Sequence, residues 1–239
     1  KVNMNTGKTI GVEALIRWEN PERGLLLPGD FLPIVENQQV GIDIGEWVIE
    51  TALSQMTHWQ SLGLEIPVSV NVSAAQLQEE TFVNKLSNSL AKHPSIPPHY
   101  LELEILETSA LTDIAEISSK MYSCLEIGVS FSLDDFGTGY SSLTYLKHLP
   151  AHLLKIDQSF VRGATEKGSR NGALITSITS LAKSLGMDTT AEGVETMDEL
   201  ELVQELGCSH VQGYIYSKAL SADAALQQME NGLRVQAKG

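Results

Sequence analysis

The chain has 239 residues, 42% of them apolar, and 16 lysines and arginines stand against 30 acids for a net charge of -14 at pH 7. That length and apolar content are enough to bury one sizeable core, read here as a single domain over 1–239. The charge opposes unaided attraction to a nucleic acid polymer or an anionic membrane. No run approaches the roughly 18 consecutive apolar residues of a membrane span, and the opening KVNMNTGKTI lacks the order of a signal peptide, so a cytoplasmic setting is expected.

Taken in chain order, short apolar runs alternate with segments of helical period, the pattern of repeated strand-helix units around a parallel sheet. The first run, Ile10–Leu15, contains Glu13. Trp47, Val48, Leu53, Met56, Trp59 and Leu62 then mark one face of a helix that Gly63 would stop. Val68–Val72 carries Asn71, and Leu101–Ile105 carries Glu104. Between these two runs, HPSIPPH at 93–99 is the most loop-like stretch. Val129–Leu133, entered after Gly128, leads into Asp134 and Asp135, and Leu153–Ile156 holds Lys155. A second helical face over Leu174, Ile175, Ile178, Leu181, Ala182 and Leu185 ends at Gly186. Asp188–Ala191 leads into Glu192, and His210–Tyr214 follows Gly207.

Seven strand candidates predict an α/β fold, a TIM-like (β/α)8 barrel that has either a degenerate strand or has lost one from its amino end, the first strand being truncated. Nothing ahead of the first run could form a preceding strand, so the chain reads as part of a longer protein. Cys124 and Cys208, far apart in apolar segments, read as packed thiols in a reduced compartment.

Nearly every strand candidate ends in a residue able to bind a metal or a phosphate. In barrels the carboxyl ends of the strands converge on one mouth, so Glu13, Glu104, Asp134, Asp135 and Glu192 are expected to meet there, with Asn71 and Lys155 among them. Alone, each has a duller reading as a turn former, a cap or a surface ion pair. Their shared position is what promotes them. Converging carboxylates repel one another, and divalent cations would neutralise them. An all-oxygen donor set favours Mg2+ or Mn2+ over zinc. Adjacent Asp134 and Asp135 suit two ions, because one carboxylate can bridge them while the other ligates only the second, and Lys155 would steady a water or developing negative charge. The two glycines in Asp134–Ser142 predict a mobile loop over the mouth. The six histidines show no ligand spacing and read as surface or packing residues.

At this point the ordered motifs resemble the EAL phosphodiesterase family. They are Glu13-Ala-Leu15 with Ile-Arg-Trp, Pro28-Gly-Asp-Phe-Leu-Pro33, Asn71-Val-Ser73, Glu104-Ile-Leu-Glu107, Asp134-Asp-Phe-Gly-Thr-Gly-Tyr140, Lys155-Ile-Asp157, Ala191-Glu-Gly-Val-Glu195 and Gln212-Gly-Tyr214. The resemblance implies hydrolysis of cyclic di-GMP to linear pGpG on a barrel whose first strand is antiparallel. It implies Glu13, Asn71, Glu104 and Asp134 as ligands of one metal, and Asp134, Asp135 and Glu192 as ligands of a second, Glu192 being ligand or base. Lys155 resembles the residue beside the nucleophilic water. Arg17 resembles a phosphate contact, and Leu15 and Gln212 resemble residues of the substrate pocket. Glu107 resembles the anchor of the Asp-Phe-Gly loop, and Glu195 a support behind the ligands. The usual threonine and proline are replaced by Leu106 and Ala219, neither of which is a proposed ligand.

The resemblance further implies a homodimer coupled through the loop after Asp134, and sensory or cyclase domains elsewhere in the full-length protein. Two rival functions are a cyclic di-GMP receptor without turnover and a barrel hydrolase of phosphomonoesters. Retention of every mapped ligand favours the enzyme over the receptor.

Overall fold

The computed structural model describes residues 1–36, 38–110, 113–139 and 143–230. Tyr140–Ser142, part of the predicted mobile loop, lie outside the described residues. Ten strands are described: β1 (Val2–Asn3), β2 (Val12–Ala14), β3 (Trp18–Asn20), β4 (Gly24–Leu26), β5 (Val68–Asn71), β6 (Leu101–Leu106), β7 (Ser130–Phe136), β8 (Leu153–Ile156), β9 (Asp188–Ala191) and β10 (His210–Val211). Eight form one sheet in the order β1-β10-β9-β8-β7-β6-β5-β2, while β3 and β4 make a separate hairpin. All neighbours in the large sheet are parallel except β1, which runs antiparallel to β10.

The two ends of that sheet meet. Val2 bridges Thr9, Ile10 N–H donates to Lys1 O at 2.9 Å, and Asn3 N–H donates to Lys8 O at 2.9 Å, just before the chain enters β2. The expected eight-stranded barrel is thus present, but the stretch ahead of Ile10, expected to hold no strand, supplies its antiparallel strand: Val2–Asn3 is two residues long and is held by Val211 and His210 rather than by any local pattern.

Alternation along the strands sorts the side chains. On β6, Leu101, Leu103 and Ile105 are fully buried in the apolar layer with Leu53, Met56, Leu77, Leu86, Ile117 and Met121 from the helices. Each such side chain contributes about 1.5–3 kcal/mol of burial. Glu102 and Glu104 take the opposite face and point into the barrel, where they meet Ser69 and Ser132 or Lys155 of other strands. The usual barrel interior is filled by branched aliphatics. Here it is polar.

Two strands fall short of the sequence expectation by more than one residue, each for a local reason. The run Ile10–Leu15 pairs only over Val12–Ala14, because the chain then leaves the sheet for the β3-β4 hairpin. The run His210–Tyr214 stops at Val211. A side chain at Gly213 would put its Cβ 2.1 Å from the Val194 carbonyl oxygen, so the backbone there is held against a neighbouring turn. Gly63, Gly128, Gly186 and Gly207 all have positive φ, as their capping positions require.

Candidate metal centre

The mouth is built from the carboxyl ends of β2, β5, β6, β7, β8 and β9. Lys155, 1% exposed as a side chain, lies at its centre. Its ammonium is 2.9 Å from Asp134 Oδ1, 2.9 Å from Glu192 Oε1 and 3.4 Å from Glu13 Oε2, and it donates to Glu104 Oε2. Asn71 Nδ2 donates to Glu13 Oε1 at 2.9 Å and Gln212 Nε2 to Glu13 Oε2 at 2.7 Å, so the Glu13 carboxylate is fixed from both sides.

Two groups of three carboxylates result. One oxygen each from Glu13, Glu104 and Asp134 lies within 4.8 Å of the others, and the same holds for Asp134, Asp135 and Glu192. Asp134 belongs to both. Consecutive residues of a regular strand point to opposite faces, so two adjacent aspartates can serve one mouth only if the strand is distorted. The β7-β8 register shifts between Leu133 and Phe136, and Asp135 has φ 51, the one non-glycine positive φ among the described residues. Aspartate tolerates that region better than most side chains.

The carboxylates outnumber the cations, and their proton affinities reflect it. Burial, with the Asp134 and Glu13 charges adding, pushes Glu192 up to about 8 against the pull of Lys155. Burial, the Asp134 charge and Asp157 push Asp135 up to about 6. Burial also raises Glu104. Glu13 goes the other way: burial opposes ionisation, but the Lys155 charge and the bonds from Gln212 and Asn71 win. Lys155 is held well above its ordinary value, because Glu104, Glu192, Glu13 and Asp134 outweigh its burial. Such a cluster would gain from further positive charge. The all-oxygen donor set, and a buried Gln212 Oε1 without a hydrogen-bond partner among the described residues, fit a hard divalent cation.

Leu15, Arg17 and Glu195 lie outside the cluster but line, with Glu13, Asp135 and Gln212, an adjoining cleft of about 880 Å³. Arg17 Nη1 donates to its neighbour's carbonyl, Ile16 O, at 2.8 Å, and Glu195 pairs with Arg162 at 3.4 Å. Glu107 is buried behind the end of β7, where Oε2 accepts from Gly137 N–H at 2.8 Å and Oε1 from the Tyr145 hydroxyl at 2.6 Å.

Sequence reasoning passed over a second layer beneath the mouth. Glu102, Ser69, Ser132 and Lys1 form one hydrogen-bonded group there. For Glu102 the signal was present in Leu-Glu-Leu-Glu, where alternation puts Glu102 on the face of Glu104. For Lys1 no local pattern exists, because its partners are about 70 to 100 residues away.

Comparison with known proteins gives a consistent result. The EAL domain model matches residues 1–219. The bifunctional diguanylate cyclase/cyclic di-GMP phosphodiesterase MucR of Pseudomonas aeruginosa is 40% identical over 227 residues, covering 95% of this chain and 33% of that protein. Another cyclic di-GMP phosphodiesterase of the same organism is 35% identical, covering 98% of this chain and 39% of its own length. The chain therefore spans about a third of the length of these relatives. Among solved structures, the MucR phosphodiesterase in complex with c-di-GMP superposes with a TM-score of 0.88 at 40% identity, covering 94% of this chain and 90% of that one. The EAL enzyme Bd1971 in its cGMP-bound form gives 0.89 at 33% identity, covering 95% and 63%.

Proposed function

This chain belongs to the EAL domain family, and from that premise we propose that it is a metal-dependent phosphodiesterase hydrolysing cyclic di-GMP to linear 5'-pGpG. The observation that carries this reading is the pair of carboxylate triads sharing Asp134 around Lys155. Glu13, Asn71, Glu104 and Asp134 are assigned to one Mg2+ or Mn2+ ion, and Asp134, Asp135 and Glu192 to a second. Bound there, such ions supply charge neutralisation at the phosphate and a water acidic enough to act as nucleophile near neutral pH.

The chain's own groups do the rest. Lys155 donates its N–H bonds toward the attacking water and the charge that develops on the phosphate. Glu192, beside Lys155 and grouped with Asp134 and Asp135, is assigned as a metal ligand or as the base that takes the proton from the water. Asn71 and Gln212 keep Glu13 in one orientation. Arg17 takes a phosphate of the dinucleotide, Leu15 gives an apolar contact in the same cleft, and Glu195 keeps Arg162 at its rim. Glu107 holds the turn after β7 in place, which keeps Asp134 and Asp135 aimed at the mouth.

The domain is further proposed to act as a homodimer in the cytoplasm, as part of a longer signalling protein, free or membrane-anchored through its other domains, whose sensory or cyclase domains control it. Among the described residues no helix is long and apolar enough to cross a membrane. Sedimentation showing monomer alone, with and without nucleotide and metal, would remove the dimer.

Product formation from cyclic di-GMP in Mg2+, Mn2+, Ca2+ and chelator, with binding recorded in parallel, tests the central reading. Linear pGpG is expected with Mg2+ or Mn2+ and not with Ca2+, whose longer bonds and looser shell fit poorly. Binding without product in any metal would overturn the enzyme and leave a receptor.

A further inference from the structure

Beneath the mouth, the Lys1 side chain enters the barrel and is 5% exposed. Its ammonium donates to Ser69 Oγ at 2.6 Å, to Glu104 Oε1 at 2.6 Å and to Glu102 Oε1. Glu102 Oε1 also accepts from Ser69 Oγ at 2.7 Å and Ser132 Oγ at 3.2 Å, while Glu102 Oε2 lies 3.1 Å from His152 Nε2. The two oxygens of Glu104, a side chain with no exposure, are therefore gripped by different cations: Oε1 by Lys1 and Oε2 by Lys155.

A glutamate's last torsion is soft and its carboxylate turns freely unless both oxygens are engaged. Lys155 alone would fix one. We propose that Lys1 and Glu102 are positioning residues for the metal centre, holding Oε1 of Glu104 from below so that Oε2 is presented to the mouth; this rests on the metal reading given above. Glu102 acts one step further back, through Lys1, which it fixes together with Ser69. A buried ion pair adds little net stability compared with apolar side chains of the same volume. An oriented ligand is what this pair supplies in addition. Partners that orient ligands from behind typically matter about 10- to 100-fold in metal affinity or activity.

The test is Mn2+ affinity, measured by titration without substrate, alongside thermal unfolding in chelator. Lys1→Met alone leaves Glu102 and Glu104 face to face and can fail to fold. The paired variant Lys1→Met/Glu102→Gln removes one charge of each sign and keeps polar atoms for Ser69 and His152. Its midpoint in chelator is expected near that of the parent while its Mn2+ affinity falls about 10- to 100-fold. Ser69→Ala, which takes one partner from Lys1 without changing charge, is expected to shift affinity in the same direction by less. Parent-like Mn2+ affinity in a folded paired variant overturns the proposal. If that variant does not fold, an unchanged affinity in Ser69→Ala overturns it instead. A parent protein that binds no Mn2+ would sink the metal reading of the mouth, a failure distinct from either.

Discussion

Asp134 is the side chain on which the mouth depends most, because both carboxylate groups include it. Asp134→Asn keeps the shape but gives up a charged oxygen in each group. Turnover of cyclic di-GMP is expected to fall to background while the circular dichroism spectrum is unchanged; an active variant would refute the shared-ligand assignment. His152, on the other side of the barrel's polar interior, carries a different prediction. Burial lowers its proton affinity, but the bond and charge of Glu102 outweigh that and raise it above the ordinary 6.5. Its stabilising effect is complete below about pH 6.5 and is lost as pH rises through the raised folded value. Glu102, depressed by the His152 bond and the Lys1 charge despite burial, stabilises above about pH 4.5 and stops doing so as pH falls through its folded value. Parent protein should therefore lose stability relative to His152→Gln as pH rises above about 6.5 in urea unfolding. A difference that stays constant as pH rises above about 6.5 would show that the pair does not titrate as described. At this scale the sequence revealed the mouth but not the layer below it. Strand-end position made Glu13, Glu104 and Asp134 stand out, whereas Lys1 becomes meaningful only when the barrel closes and brings it to Glu102.

Among the elements, the end of β7 carries the most constraint. Its register shift turns Asp135 toward the mouth, and Gly137 follows with φ 98 and its N–H on Glu107. A Cβ at Gly137 would lie 2.9 Å from Phe160 Cε2. Gly137→Ala is expected to cost about 1–3 kcal/mol in chemical unfolding, from the strained φ and the clash together. A variant as stable as the parent would mean that the turn relaxes freely. The strands β5 and β6 were legible from their alternation of apolar and polar residues, and β8 and β9 as short segments between helical faces and turn signals. β1 was not, since two residues carry no periodicity, and its place is fixed by Val211 and Thr9 from elsewhere in the chain. The extent of β10 was misread because what ends it, the close approach of Gly213 to the Val194 backbone, comes from elsewhere in the chain.

At the scale of the whole molecule, a net charge of -14 is borne on a fold that concentrates carboxylates at one end of its barrel. Divalent ions should therefore act on the fold as well as on the chemistry. At a free Mn2+ concentration about 100 times Kd, stability should rise by about 2.7 kcal/mol over chelator. Identical unfolding midpoints in Mn2+ and chelator would mean that no metal binds the folded state preferentially. The polar interior also limits how this site could be transplanted. Copying the mouth side chains onto another eight-stranded barrel would set Glu104 and Lys155 on a floor of valine and leucine, where a carboxylate has nothing to bond on its lower side. A working graft would have to carry Ser69, Glu102, Ser132 and the Lys1 side chain with it, so the smallest portable unit is two layers deep.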